Sequence, residues 1–163
     1  MKNDTKKLVT YAMGISLTTL LTIAFPIPAI VNNGYINLGD VIVLLMGIIF
    51  GPVAGFLAGG IGSALADVIL GYTMYAPFTL VVKGFEGLII GLLAKNNSNI
   101  LIKSIIATAV MVFGYFVSES FMYGAHGALA NIPGNVIQAI IGAILATIIF
   151  EFFKKNGIDK KIQ

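Results

Sequence analysis

Residues 52–70 read PVAGFLAGGIGSALADVIL, nineteen positions in which Asp67 is the one ionisable side chain. At 1.5 Å per residue such a helix reaches about 28 Å, close to the roughly 30 Å of a bilayer's hydrocarbon core. Pro52 suits the first helical turn, where its missing N–H would be unpaired anyway. Small residues recur four apart at Gly47, Gly51, Gly55, Gly59 and Ser63, and again at Gly87 and Gly91. That spacing predicts helix backbones in close approach within lipid. A spanning helix with a carboxylate near one end therefore sets the reading of the whole chain.

Composition agrees. Of 163 residues, 58% are hydrophobic and 10% charged, with a mean hydropathy of +0.96. Soluble domains carry roughly 25% charged residues, so water is the wrong solvent. The net charge of +3 comes from lysines that mostly flank apolar runs, which argues for membrane-flanking charge and against nucleic acid. With no cysteine, disulfides and thiolate metal sites are excluded. Met1 to Lys7 leads into an apolar stretch without an obvious cleavage site, so a retained first span is expected.

Turn chemistry divides the chain into one domain over 1–163 with six expected spans, at 8–25, 38–50, 52–70, 74–94, 100–123 and 133–153. The second is short, about 20 Å as a helix, and on length alone reads as re-entrant. Lysine placement decides otherwise. Lys2, Lys6 and Lys7 precede the first span, Lys95 and Lys103 flank the fourth turn, and Lys154, Lys155, Lys160 and Lys161 follow the last, while segments 26–37, 71–74 and 124–132 have no lysine or arginine. The positive-inside rule then puts both termini in the cytoplasm, which needs an even number of crossings. The expectation is an all-α integral membrane protein with six transmembrane helices.

Ionisable groups within spans are costly and mark function or an internal pair. Here they are Asp40, Asp67, Lys83, Glu86 and Glu119, joined near span ends by His126, Asn131, Asn135 and Gln138. The topology brings most of them to the extracellular half, together with Tyr35, Tyr72, Tyr75, Phe78, Tyr115, Phe116 and Tyr123. An aromatic-walled cavity with a few fixed polar groups suits a small flat ligand. Tyr35, Asn37, Asp67, Tyr75, Lys83, Glu86, Tyr115, Glu119, Asn135 and Gln138 are the expected substrate-binding residues. An interfacial aromatic belt would equally use tyrosines, Lys83 and Glu86 share a helix face and fit an ion pair, and Asp40 fits a cap or first-turn acid. Ala12 and Ser16, with Gly14 and Thr18, give the first span a small face suited to a partner helix. No enzyme signature accompanies these groups: there is no His-Glu-x-x-His, Gly-x-Ser-x-Gly or Walker loop, and one histidine makes no metal site. No cofactor is implied.

A wider pattern carries a family resemblance. Gly34-Tyr35-Ile36-Asn37-Leu38-Gly39-Asp40, Gly47 to Gly51-Pro52, Gly59-Gly60-Ile61-Gly62-Ser63-Ala64-Leu65-Ala66-Asp67, Gly71-Tyr72, Tyr75-Ala76-Pro77 and Lys83-Gly84-Phe85-Glu86-Gly87 together resemble the S components of energy-coupling factor (ECF) vitamin transporters. The resemblance covers essentially the whole chain. It implies a multi-pass protein of the bacterial cell membrane with the riboflavin-transporter-like fold, which captures a vitamin outside under a lid formed by loop 26–37. It also implies a coupling protein, EcfT, docked on Ala12 and Ser16, and ATPases EcfA and EcfA′; the serine departs from the family's Ala-x-x-x-Ala but stays small. The chain looks most like pyridoxine or hydroxymethylpyrimidine members, since it lacks the tryptophan of thiamine-type and the arginine of biotin-type pockets; riboflavin is the nearest alternative. From other classes, an ion-coupled carrier would use Asp67, Glu86 and Glu119 as a proton relay, and an intramembrane enzyme would pair Glu119 with His126.

Overall fold

The structure, a computed structural model, describes residues 2–28, 35–96 and 99–158. Helix α1 is Lys2–Ala24, and a two-stranded antiparallel hairpin, β1 Ile27–Pro28 with β2 Tyr35–Ile36, pairs Ile27 with Ile36 and Pro28 with Tyr35. The expected polar loop is thus partly a hairpin; Asn32, Asn33 and Gly34 lie outside the described residues. Next come α2 Gly39–Phe50, α3 Pro52–Leu70 with a π-helical turn at Ala58–Gly62, and α4 Ala76–Leu93. A helical stretch from Ile100 to Lys155 follows, broken at Gly124 into α5 (100–123) and α6 (125–155).

The break corrects one expectation. Segment 124–132 is not a loop: only Gly124 leaves the helix, at φ 78° and ψ 164°, a conformation essentially restricted to glycine. The helix resumes at Ala125, so Pro133 lies inside α6 rather than opening it. Proline was a misleading start signal because its lost N–H and ring clash are tolerable where the helix borders a cavity.

Among the described residues, four helices are long and apolar enough to cross a membrane: Asp4–Ala24, Pro52–Leu70, Ala76–Leu93 and Ile100–Lys155. Helix α2 is shorter, and ten of its twelve residues are buried, because it packs against α1, α3, α4 and the α5–α6 stretch instead of facing lipid along its length. Helix α4 is the hub, touching α2, α3 and α5–α6.

Glycine makes that hub possible. A Cβ added to Gly87 would strike the Gly55 backbone, and one on Gly47 would fall 2.8 Å from the Gly87 carbonyl oxygen. Helices α2, α3 and α4 therefore meet nearly backbone to backbone, where dispersion replaces the hydrophobic force that lipid does not supply. Gly59 and Gly60 extend the seam, each backed by a backbone carbonyl of α4, that of Lys83 and that of Leu80.

On α1 the small face divides in two. Gly14 abuts Met46 and Thr18 is fully buried, whereas Ala12 and Ser16 lie exposed beside Leu8, Val9, Met13 and Leu17. Two residues on a helix turn about 200°, so Gly14 and Thr18 cannot share a face with Ala12 and Ser16. The polarity of the molecule is inverted relative to a soluble protein: Phe113, Phe121, Ile148 and Phe152 are exposed while Asp40, Asp67, Lys83, Glu86 and Glu119 are buried. Lipid accepts the first set, and only internal partners make the second set tolerable.

Candidate ligand-binding cavity

A cavity of about 410 Å³ opens between the hairpin, α3, α4, α5 and α6. Of the ten expected site residues, Tyr35, Asn37, Asp67, Tyr75, Lys83, Tyr115, Glu119, Asn135 and Gln138 line it, and Glu86 does not. Glu86 sits behind Lys83, fully buried, with its Oε2 accepting from Lys83 Nζ at 3.1 Å. Its chemistry is to hold that lysine.

The floor is a charge network. Lys83 Nζ donates to Asp40 as well as to Glu86, and Asp40 Oδ2 accepts from Gln138 Nε2 at 3.0 Å. Asp40 is thus more than a first-turn acid. It is the partner of a buried lysine, while the first N–H of α2 is taken up by Asn37, whose Oδ1 accepts from the Gly39 N–H at 2.8 Å. Gln138 Oε1 in turn accepts from the Asn37 N–H at 2.9 Å, so one glutamine joins the chain after the hairpin to the ion pair. Breaking such a pair from one side strands a buried charge, which costs about 3–5 kcal/mol.

Three tyrosines, Tyr35, Tyr75 and Tyr115, bring rings to the wall. Lys83 Nζ lies 5.9 Å from the centre of the Tyr115 ring, in cation–π range, and the Tyr115 hydroxyl donates to Thr79 Oγ1 at 3.1 Å. Tyr35 stacks on Tyr72 at 4.8 Å between centroids, and Tyr75 neighbours Tyr123 at 6.2 Å. Phe116 instead faces a separate apolar groove between α5 and α6. The Tyr35 hydroxyl donates to Asp67 Oδ1 at 2.6 Å, tying the hairpin to α3. Burial, and then the adjacent Asp67 carboxylate, pushes the Tyr35 phenol above its ordinary value, so it remains a donor.

Polar atoms are left over. Asp67 Oδ2, Tyr75 Oη, Glu119 Oε2 and Asn135 Nδ2 are buried without a hydrogen-bond partner among the described residues. Glu119 Oε1 does have one, accepting from Asn131 Nδ2 at 3.0 Å. Buried polar atoms without partners cost roughly 1–3 kcal/mol each, a cost that a ligand supplying the missing partners would offset. Thr79, Ser63 and Asn131 also line the cavity and were missed as binding residues. Their signal was spacing: Ser63 precedes Asp67, Thr79 precedes Lys83 and Asn131 precedes Asn135 by four residues, one helical turn along the same face. His126 is exposed and does not line the cavity, so it does not join Glu119.

On α1, Val9, Ala12, Met13, Ser16 and Leu17 form a shallow exposed groove. Two small residues one turn apart flanked by large apolar ones leave a notch that fits another helix.

The family model for the S component of the ECF-type riboflavin transporter matches residues 2–155. The chain belongs to this family. The S component is 44% identical over 134 residues to an uncharacterized protein of Pyrococcus woesei, covering 80% of this chain and 88% of that one. It is 32% identical over 155 residues to the thiamine precursor transporter HmpT of Lactococcus lactis, covering 94% and 90%. A UPF0397 protein of Streptococcus pneumoniae is 29% identical over 166 residues, covering 89% and 90%. With its apolar helices, the S component is a multi-pass, all-α membrane protein, and its family is one of transport subunits rather than enzymes.

Proposed function

We propose that this S component captures a small, single-ring vitamin precursor of the hydroxymethylpyrimidine type from outside the cell and hands it to an ATP-driven coupling complex. The observation that carries this reading is the aromatic cavity lined by buried polar atoms without partners. At about 410 Å³ the cavity lies toward the small end of ligand pockets, which run from about 300 to 1,000 Å³, and this favours one ring over the tricyclic riboflavin. The relative HmpT is named for a thiamine precursor, which supports a pyrimidine ring. Pyridoxine, with a ring of similar size and hydroxyl donors, is the second ligand to test.

The six-span reading, with both ends cytoplasmic, goes with this function. It puts the cavity and hairpin outside and the lysine-rich ends inside, in the plasma membrane of a prokaryote. The α1 notch at Ala12 and Ser16 is then the contact for EcfT, with EcfA-type ATPases below it. Uptake tests the reading. Cells expressing the chain with the coupling protein and ATPases accumulate labelled hydroxymethylpyrimidine, whereas cells expressing the chain alone do not. Concentrative uptake by the chain alone in liposomes favours an ion-coupled carrier and contradicts the proposal.

A further inference from the structure

We infer that the cavity selects its ligand by charge, with Asp67 and Glu119 as the determinants: it takes a donor-rich, neutral or cationic nitrogen heterocycle and refuses the phosphorylated or carboxylated forms of the same ring. This rests on the capture role proposed above and narrows it.

Positive charge at the cavity is already neutralised. Among the described residues Lys83 is the one basic side chain lining the cavity, and both Asp40 and Glu86 engage it at the floor. It has no uncompensated charge to offer an anion. Two carboxylates remain, on different walls: Asp67 on α3 and Glu119 on α5, each about 3% exposed. The polar groups that neighbour them at hydrogen-bonding range are neutral: Tyr35 and Thr79 at Asp67, and Asn131, Asn135 and Tyr75 at Glu119.

Each carboxylate also keeps one buried oxygen without a partner. An occupant that satisfies both must present hydrogen-bond donors on two sides. The Glu119 end is more specific still. The side chain of Asn135 stands beside Glu119 and both line the cavity, so an amide and a carboxylate face the ligand space together. Such a pair matches a ring edge carrying a ring nitrogen next to an exocyclic amine. A phosphate ester brings acceptors and about two negative charges to the same walls, where like-charge contact in a desolvated site is strongly unfavourable.

The test is equilibrium titration of the purified full-length chain in detergent with 4-amino-5-hydroxymethyl-2-methylpyrimidine, pyridoxine and the phosphate monoester of each. At least one free alcohol binds, and its ester binds roughly 100-fold more weakly or worse. In Glu119→Gln and Asp67→Asn, affinity for the alcohol falls while the penalty on the ester shrinks, with unchanged melting temperatures showing that the variants fold. Glu151→Gln, an exposed site on the lysine-rich end of α6, leaves both affinities unchanged. Equal or tighter binding of the esters overturns charge selection and leaves the capture role standing. If none of the four compounds binds, the single-ring capture reading fails, and the selection falls with it.

Discussion

The Tyr35 hydroxyl donates to Asp67 Oδ1 at 2.6 Å across 32 residues of sequence, joining the hairpin to the helix whose sequence first marked this chain as membrane-embedded. With the Asn37 N–H bound to Gln138 Oε1, it ties the chain between α1 and α2 to the walls of the cavity. Replacing Tyr35 by Phe removes one tie while keeping the ring that stacks on Tyr72. A hydrogen bond to a charged group contributes about 1.5–3 kcal/mol when buried, and Tyr35 is only partly so, hence about 1 kcal/mol is expected here. Ligand dissociation measured by stopped flow should quicken roughly fivefold, with little change in melting temperature.

Lys83 tests the floor. Lys83→Met removes the cation shared by two buried carboxylates and should destabilise the protein by about 3–5 kcal/mol, read as a lowered melting temperature in detergent. The double variant Lys83→Met/Asp40→Asn takes away one stranded charge as well and should recover part of the loss. If the double variant is no more stable than the single one, Asp40 is not the lysine's main partner.

The glycine seam makes a separate, steric prediction. Gly87→Ala forces a methyl group into the Gly55 backbone and should cost about 1–3 kcal/mol by pushing α3 and α4 apart. Gly71→Ala meets no neighbouring atom within 4 Å, and its cost is conformational, about 1–2 kcal/mol from φ 86°. Ligand affinity separates the two, since moving α4 displaces Thr79 and Lys83: the Gly87 variant should bind more weakly and the Gly71 variant should not.

Much of this was legible in sequence, and the failures have physical causes. Asp67, Lys83 and Glu119 stood out because charge inside a span is costly, and nine of ten expected residues do line one cavity. Helix rotation was what the sequence withheld. Glu86, one turn from Lys83, points behind it, and Asp40, which resembled a helix-start acid, pairs across 43 residues with a partner that no local pattern announces. Gly14 and Thr18 were grouped with Ala12 and Ser16 by size, although helical geometry separates them. Gly124 and Pro133 were read as the two ends of a loop, yet only the glycine adopts a backbone that ends a helix.

Ser16 carries the prediction about partners. Ser16→Trp fills the exposed notch on α1 without touching the cavity, so ligand binding in detergent should be unchanged. Co-purification with the coupling protein, and with it uptake in cells, should fall at least tenfold if two well-packed helices meet there. Unchanged co-purification would place the partner surface elsewhere.

The most direct measurement is calorimetric titration of 4-amino-5-hydroxymethyl-2-methylpyrimidine into the purified chain. One molecule should bind per chain, saturably, with binding lost or much weakened in Glu119→Gln. Saturation by riboflavin with no response to the pyrimidine or to pyridoxine would contradict it.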